Sequence, residues 1–99
     1  MVVGVLVADV LLGDVHSLKG KRGVVRPILA ELRRKHDVSV AETGEQDLHR
    51  RAELSAAVVA GEHSHVTDVL QACERMLAAR PEIELLATRT RVLDDDDLN

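Results

Sequence analysis

Ninety-nine residues contain no Phe, Trp or Tyr, so any core this chain builds must be filled by Val, Leu, Ile and Ala. Burying one such side chain contributes less than burying a ring, and stability therefore rests on many small contacts. The same absence excludes a function class. Single-stranded RNA recognition on a sheet surface depends on aromatic rings on which bases stack.

A chain of this length buries only roughly two thirds of its unfolded surface, which is one core and one domain. Hydrophobic content of 45% beside 30% charged residues is that of a globular protein. No apolar run approaches the roughly 20 residues needed to cross a bilayer. The apolar start Val2 to Val7 has no basic residue before it and is soon interrupted by Asp9, so it fails the pattern of a secretory signal. A soluble, cytoplasmic protein with no membrane partner is expected. The single cysteine, Cys73, excludes an intrachain disulfide and a multi-thiolate metal site, and at the centre of an apolar stripe it is expected to be a small buried hydrophobe. No cofactor is expected.

Two periods of hydrophobicity alternate along the chain. Val2 to Val10 is almost continuously apolar, as in a central strand covered on both faces. Ser17 is a suitable N-cap for a helix from Leu18 to Lys35, with Leu18, Val25, Ile28, Leu29 and Leu32 on one stripe, ended by His36-Asp37. Pro27 lies inside it, cannot donate to the Gly23 carbonyl, and projects away from the stripe, which predicts a kink facing water and not a break. Val38 to Thr43 reads as a strand, Gly44 to Arg51 as a polar loop, and Ala52 to Ala60 as a strand with Leu54, Ala56 and Val58 on one face. These two strands predict an antiparallel hairpin. Gly61 breaks the second strand, and Ser64 is placed to cap a helix in which Val66, Val69, Leu70, Cys73, Met76 and Leu77 recur at helical spacing up to Pro81. Ile83 to Arg91 reads as a last strand with Ile83, Leu85 and Ala87 inward.

The order β-α-β-β-α-β predicts an α+β fold, the ferredoxin-like sandwich, with one four-stranded antiparallel sheet and both helices on one face. Its strand order places the first and third strands, the two most apolar, at the centre. Residues 1–92 form this domain, and 93–99, with the Asp94 to Asp97 run, an acidic, solvated tail.

Three segments carry a family resemblance. Ser17-Leu18-Lys19-x-Lys21-Arg22, Val38-Ser39-Val40-Ala41-Glu42 and Gln46-Asp47-x-x-x-Arg51-Ala52-Glu53-Leu54 resemble the pattern of the YlxP family, small bacterial proteins of unknown function. The resemblance implies the same fold and a setting, since such proteins are typically encoded among translation and ribosome-assembly factors. It implies no activity. The chain departs from the family at Gly20, often Glu there, so Ser17 lacks the reciprocal partner of a capping box. It departs again at His49, usually Trp, and near Val92, often aromatic.

At about 100° per residue, Lys19, Arg22, Arg26 and Arg33 fall within about 60° of one another, flanking the apolar stripe of the first helix. Lys21, Arg34 and Lys35 add to that helix, and Glu31 is its only acid, inside a chain of net charge -4. Such segregation suits phosphate oxygens, and Lys19, Lys21 and Arg22 stand in the first turns, where free backbone N–H groups favour an anion. The alternative is a solvated face whose long stems cover the core edge. In the loop, Gln46, Asp47 and Arg51 are the polar positions that match the family, either recognising a partner or simply hydrated.

Catalytic arrangements find little support. His49, Asp47 and Glu42 offer a general acid and base without a nucleophile. The acylphosphatase use of this fold needs an Arg and an Asn working together, and the only Asn is Asn99. His63 and His65 have no third ligand nearby. Two functions remain. The first is a non-catalytic binding module contacting RNA or a ribonucleoprotein, such as rRNA in a ribosomal particle, through Lys19, Lys21, Arg22, Arg26 and Arg33 with Gln46, Asp47 and Arg51. The second is a homodimer formed through the open sheet face. Nothing points to DNA.

Overall fold

Residues Val2–Leu12 form the first strand, β1, and every second residue from Val2 to Leu12 is buried. The computed structural model describes residues 1–98. After β1 come α1 (Leu18–His36), β2 (Ser39–Gly44), β3 (Arg51–Ala60), α2 (His63–Ala78) and β4 (Ile83–Asp94). The strands form one antiparallel sheet in the order β2-β3-β1-β4, with β1 and β3 central. This is the expected sandwich.

Both helices pack on the face that carries Leu6, Ala8, Val10, Leu54, Ala56 and Val58, all buried. Here β1 departs from its expected double cover. Val3, Val5 and Val7 point to the other face, where they are only half-buried. The strand is continuously apolar because its open face is also lined with valine, not because a second layer lies on it.

Each helix buries one stripe. Val25, Ile28, Leu29 and Leu32 of α1 meet Val66, Leu70, Cys73 and Leu77 of α2 and the sheet in a single aliphatic core. Ser17 caps α1 by accepting a hydrogen bond from the Gly20 N–H at 2.9 Å, and Asp37 closes it in the left-handed conformation, φ 50°. The helix runs unbroken through Pro27, which is exposed. The cap expected at Ser64 is not formed. Glu62 is the N-cap of α2, with no side-chain hydrogen bond, because the helix starts at His63, before Ser64.

In β4 a bulge changes the expected facing. Asp9 pairs with Ala87 and Val10 with Leu85, so Leu86 is the extra residue. Ile83 and Leu85 keep the helix face, but beyond the bulge that face passes to Thr88, Thr90 and Val92, opposite Ala8, Leu6 and Gly4, and Ala87 turns to the open side. The strand also continues into the segment expected as tail, to Asp94. Asp95–Leu98 follow as a 3-10 turn beside the chain's amino group, and Asn99 lies outside the described residues. Asp94 pairs with Val2, so the acidic run sits at the sheet end remote from the start of α1.

Close approach of α2 to the sheet depends on Gly4. A Cβ there would overlap Val66 Cγ1 and lie 2.9 Å from Leu70 Cδ1. At the far ends of the helices, Glu31 joins Lys35 at 2.9 Å and Arg80, which also holds Glu82 at 2.9 Å. The hydrogen bond from Lys35, with the nearby positive charges, holds the Glu31 carboxyl below its ordinary value of 4.5.

Two outcomes follow from this packing. Gly4→Ala should destabilise by about 1–3 kcal/mol through overpacking, whereas Gly61→Ala, which meets nothing within 4 Å, should change stability by less than about 0.5 kcal/mol; urea unfolding measures both. Because the folded Glu31 carboxyl titrates below its unfolded value, its contribution is complete above the unfolded value and disappears as pH falls through the folded one. The stability difference between the parent and Glu31→Gln should therefore shrink on acidification, measured by denaturant unfolding at successive pH values.

Candidate functional site

Lys21 is the one buried charged side chain among the described residues, at 2% exposure. It lies a turn before Val25 on the stripe that α1 turns to the sheet, and its ammonium needs an acid there. Strand β2 supplies one. Val38 and Val40 face the core, so alternation brings Glu42 to the same side, and its Oε2 lies 2.7 Å from Lys21 Nζ.

The ammonium also donates to the Glu45 carbonyl at 2.7 Å. Glu45 has φ 60°, a conformation costly for a residue with a side chain. Its carbonyl accepts a second bond, from the Leu48 N–H at 3.2 Å, and the Gln46 amide donates to the Glu42 carbonyl at 3.1 Å. The turn after β2 is thereby fixed to the first turns of α1. Thr43, a bulge residue between Glu42 and Gly44, bonds to Glu53 and Ser55 on the sheet's other face, each at 2.6 Å.

Leu18, Lys21, Arg22, Glu42 and Gln46 line a cleft of about 170 Å³ at this junction. All five come from the segments that carry the family resemblance. Arg22 forms one wall and also borders a shallow groove along the outside of α1 with Lys19, Gly23, Arg26 and Pro27. Gly23 contributes no side chain to that groove and Pro27 no N–H, so the Gly23 carbonyl lacks its usual helical donor. None of Lys19, Arg22 and Arg26 has a carboxylate or carbonyl partner among the described residues.

The expected site residues thus divide. Lys19, Arg22 and Arg26 line one groove. Arg33 continues their row, but its Nη2 donates to the Val40 carbonyl at 2.9 Å. Lys21 stands apart from the exposed charges of the helix: its ion pair with Glu42 places it at the core edge, where it lines the inner wall of the cleft. Gln46 joins the cleft. Asp47 is exposed in the turn with no bonded partner among the described residues, and Arg51 opens β3 opposite Leu11, on the face away from α1. Glu42 and Leu18 were missed as site residues, although the alternation Val38, Val40, Glu42 and the place of Lys21 on the apolar stripe contained the signal. Among the described residues no three His, Cys, Asp or Glu side chains converge as a metal site, and no helix is long and apolar enough to cross a membrane.

Removing one member of a fully buried ion pair costs roughly 3–5 kcal/mol, and replacing both by apolar groups is often neutral. Glu42 keeps 22% of its side chain exposed, so Lys21→Met should fall below that range. Lys21→Met combined with Glu42→Leu should recover most of the loss, and a double-mutant cycle in urea checks both values.

The comparisons agree with the sequence pattern. A family model described as a protein of unknown function (DUF503) matches residues 3–90. The uncharacterised protein YlxP of Bacillus subtilis (strain 168) is 33% identical over 88 residues, which cover 89% of this chain and 96% of the relative. With a family match over most of its length and a relative aligned nearly end to end, the chain belongs to the YlxP-like family of proteins of unknown function.

Proposed function

We propose that this protein is a non-catalytic module that contacts RNA, free or within a ribonucleoprotein, through the outer face of α1. The observation that carries this reading is the groove in which Lys19, Arg22 and Arg26 converge without internal partners, in a chain whose net charge is -4. Elsewhere many cations are engaged: Lys21, Lys35 and Arg80 hold carboxylates, and Arg33 and Arg50 hold backbone carbonyls. Free cations in a row fit the repeating negative charge of a nucleic-acid backbone. The translation or ribosome-assembly setting implied by the family resemblance is compatible with such a partner.

The sheet face is a less favourable contact surface. Its valines, with Val59 at 68% exposure, are interrupted by Asp9 opposite Glu53 and by Arg89 and Arg91, so a second copy would have to desolvate four charges. On the α1 groove the desolvated charges would each meet a phosphate of opposite sign.

Co-sedimentation with ribosomal subunits, at low and at moderate salt, tests the reading. Binding should weaken steeply with salt and be lost when Lys19, Arg22 and Arg26 are all changed to Glu. If the partner is single-stranded RNA, three phosphate contacts correspond to a slope of about -2 in log affinity against log salt. Salt-insensitive binding, or an unaffected variant, would sink the proposal.

A further inference from the structure

The cleft beside the groove has a different chemistry from the groove itself. Lys21 Nζ has three N–H donors and uses one on the Glu45 carbonyl and a second towards Glu42. Glu42 Oε2 is enclosed and touches the ammonium by distance, yet receives no aligned hydrogen bond. Its other oxygen has no partner among the described residues. Gln46 spends one of its two side-chain N–H groups on a backbone carbonyl and keeps its own carbonyl free. One small cavity therefore offers donors, from Lys21 and Arg22, beside acceptors, from Glu42 and Gln46.

That combination selects against a simple anion. A phosphate would gain from Lys21 and Arg22 but meet the Glu42 carboxylate. A neutral planar group with both donors and acceptors on one edge satisfies all of them. At about 170 Å³ the cleft is below the roughly 300 Å³ at which pockets for whole small ligands begin, so its occupant is one part of a larger molecule anchored nearby. Arg22, shared by cleft and groove, sets the anchor: phosphates outside, one base inside. Leu18, at 36% exposure, and the Arg22 guanidinium supply the surfaces a base packs on where aromatic rings are missing.

Among the four bases, guanine fits best. Its Watson–Crick edge carries two adjacent N–H donors, which match the free Glu42 oxygen and the Gln46 carbonyl, beside an O6 acceptor, which matches an ammonium or guanidinium. Adenine and cytosine offer one donor group next to an acceptor, and uracil a single donor between two acceptors. We propose that the cleft formed by Leu18, Lys21, Arg22, Glu42 and Gln46 receives one unpaired guanine of an RNA strand whose phosphates lie along Lys19, Arg22 and Arg26. The assignment rests on the RNA-binding reading and adds base preference to it.

Fluorescence anisotropy with short labelled oligouridines carrying one central G, A or C, or none, tests it on the unmodified protein. The single-G strand should bind about tenfold tighter than the others, within the range of one good base contact. In the Lys21→Met, Glu42→Leu double variant, shown by circular dichroism to be folded, the preference should vanish while salt-sensitive binding to oligouridine remains. Equal affinities for all four strands, with a steep salt dependence, would overturn the guanine assignment and leave the basic groove standing. No salt-sensitive binding to any strand would overturn the RNA reading and the assignment together. A preference that survives in the folded double variant would also overturn it.

Discussion

A lysine ammonium placed where a core side chain belongs governs the candidate site. Lys21 occupies a position on the buried stripe of α1, and an unpaired charge there would be prohibitive. Glu42 meets that demand because β2 is short and alternating, which brings its last core-facing residue beside the start of the helix. The Glu45 carbonyl accepts a second N–H of the ammonium, and this bond holds the turn in a backbone conformation it would not favour alone. Cleft, turn and helix entry are consequences of one pair. The neighbouring cations remain exposed because the only acid on α1, Glu31, is engaged at its other end.

An aliphatic core imposes the second constraint. Without rings to fill space, α2 approaches the sheet closely enough for Val66 and Leu70 to rest on Gly4. Small Cys73 and Ala8 are fully buried in the same layer, and burial pushes the Cys73 thiol above its ordinary value. The sheet's other face keeps valines at its centre and charges around them. The two faces divide the molecule's chemistry: one is consumed by packing, the other is mixed, and the unneutralised positive row belongs to the outer side of a helix.

Most of the fold was legible. Element order, the central place of β1 and β3, the hairpin of β2 and β3, and the Ser17 cap followed from period and residue type, because each depends on residues close in sequence or on a face-by-face alternation. The misjudged points have separate causes. The bulge at Leu86, which turned Ala87 outward, depends on register against β1. The start of α2 at His63 is fixed without a side-chain cap, so Ser64 was a false signal. The valine-lined open face of β1 resembles a covered one in composition, and only the layer arrangement distinguishes them.

For the site, the sequence by itself determined the ingredients: a helix with segregated positive charge, three short segments matching one family, and the lack of stacking rings. It also contained, in the helical and strand periods, the inward placement of Lys21 and Glu42. The tertiary structure decided which charges are available. It withdrew Lys21 into a pair with a residue twenty-one positions away, engaged Arg33 with a β2 carbonyl, put Arg51 on the opposite face, and gathered Lys19, Arg22 and Arg26 along one groove. The physical reason is that charge is read from single residues, whereas availability is a property of pairs, and a pair distant along the chain exists only once the chain has folded.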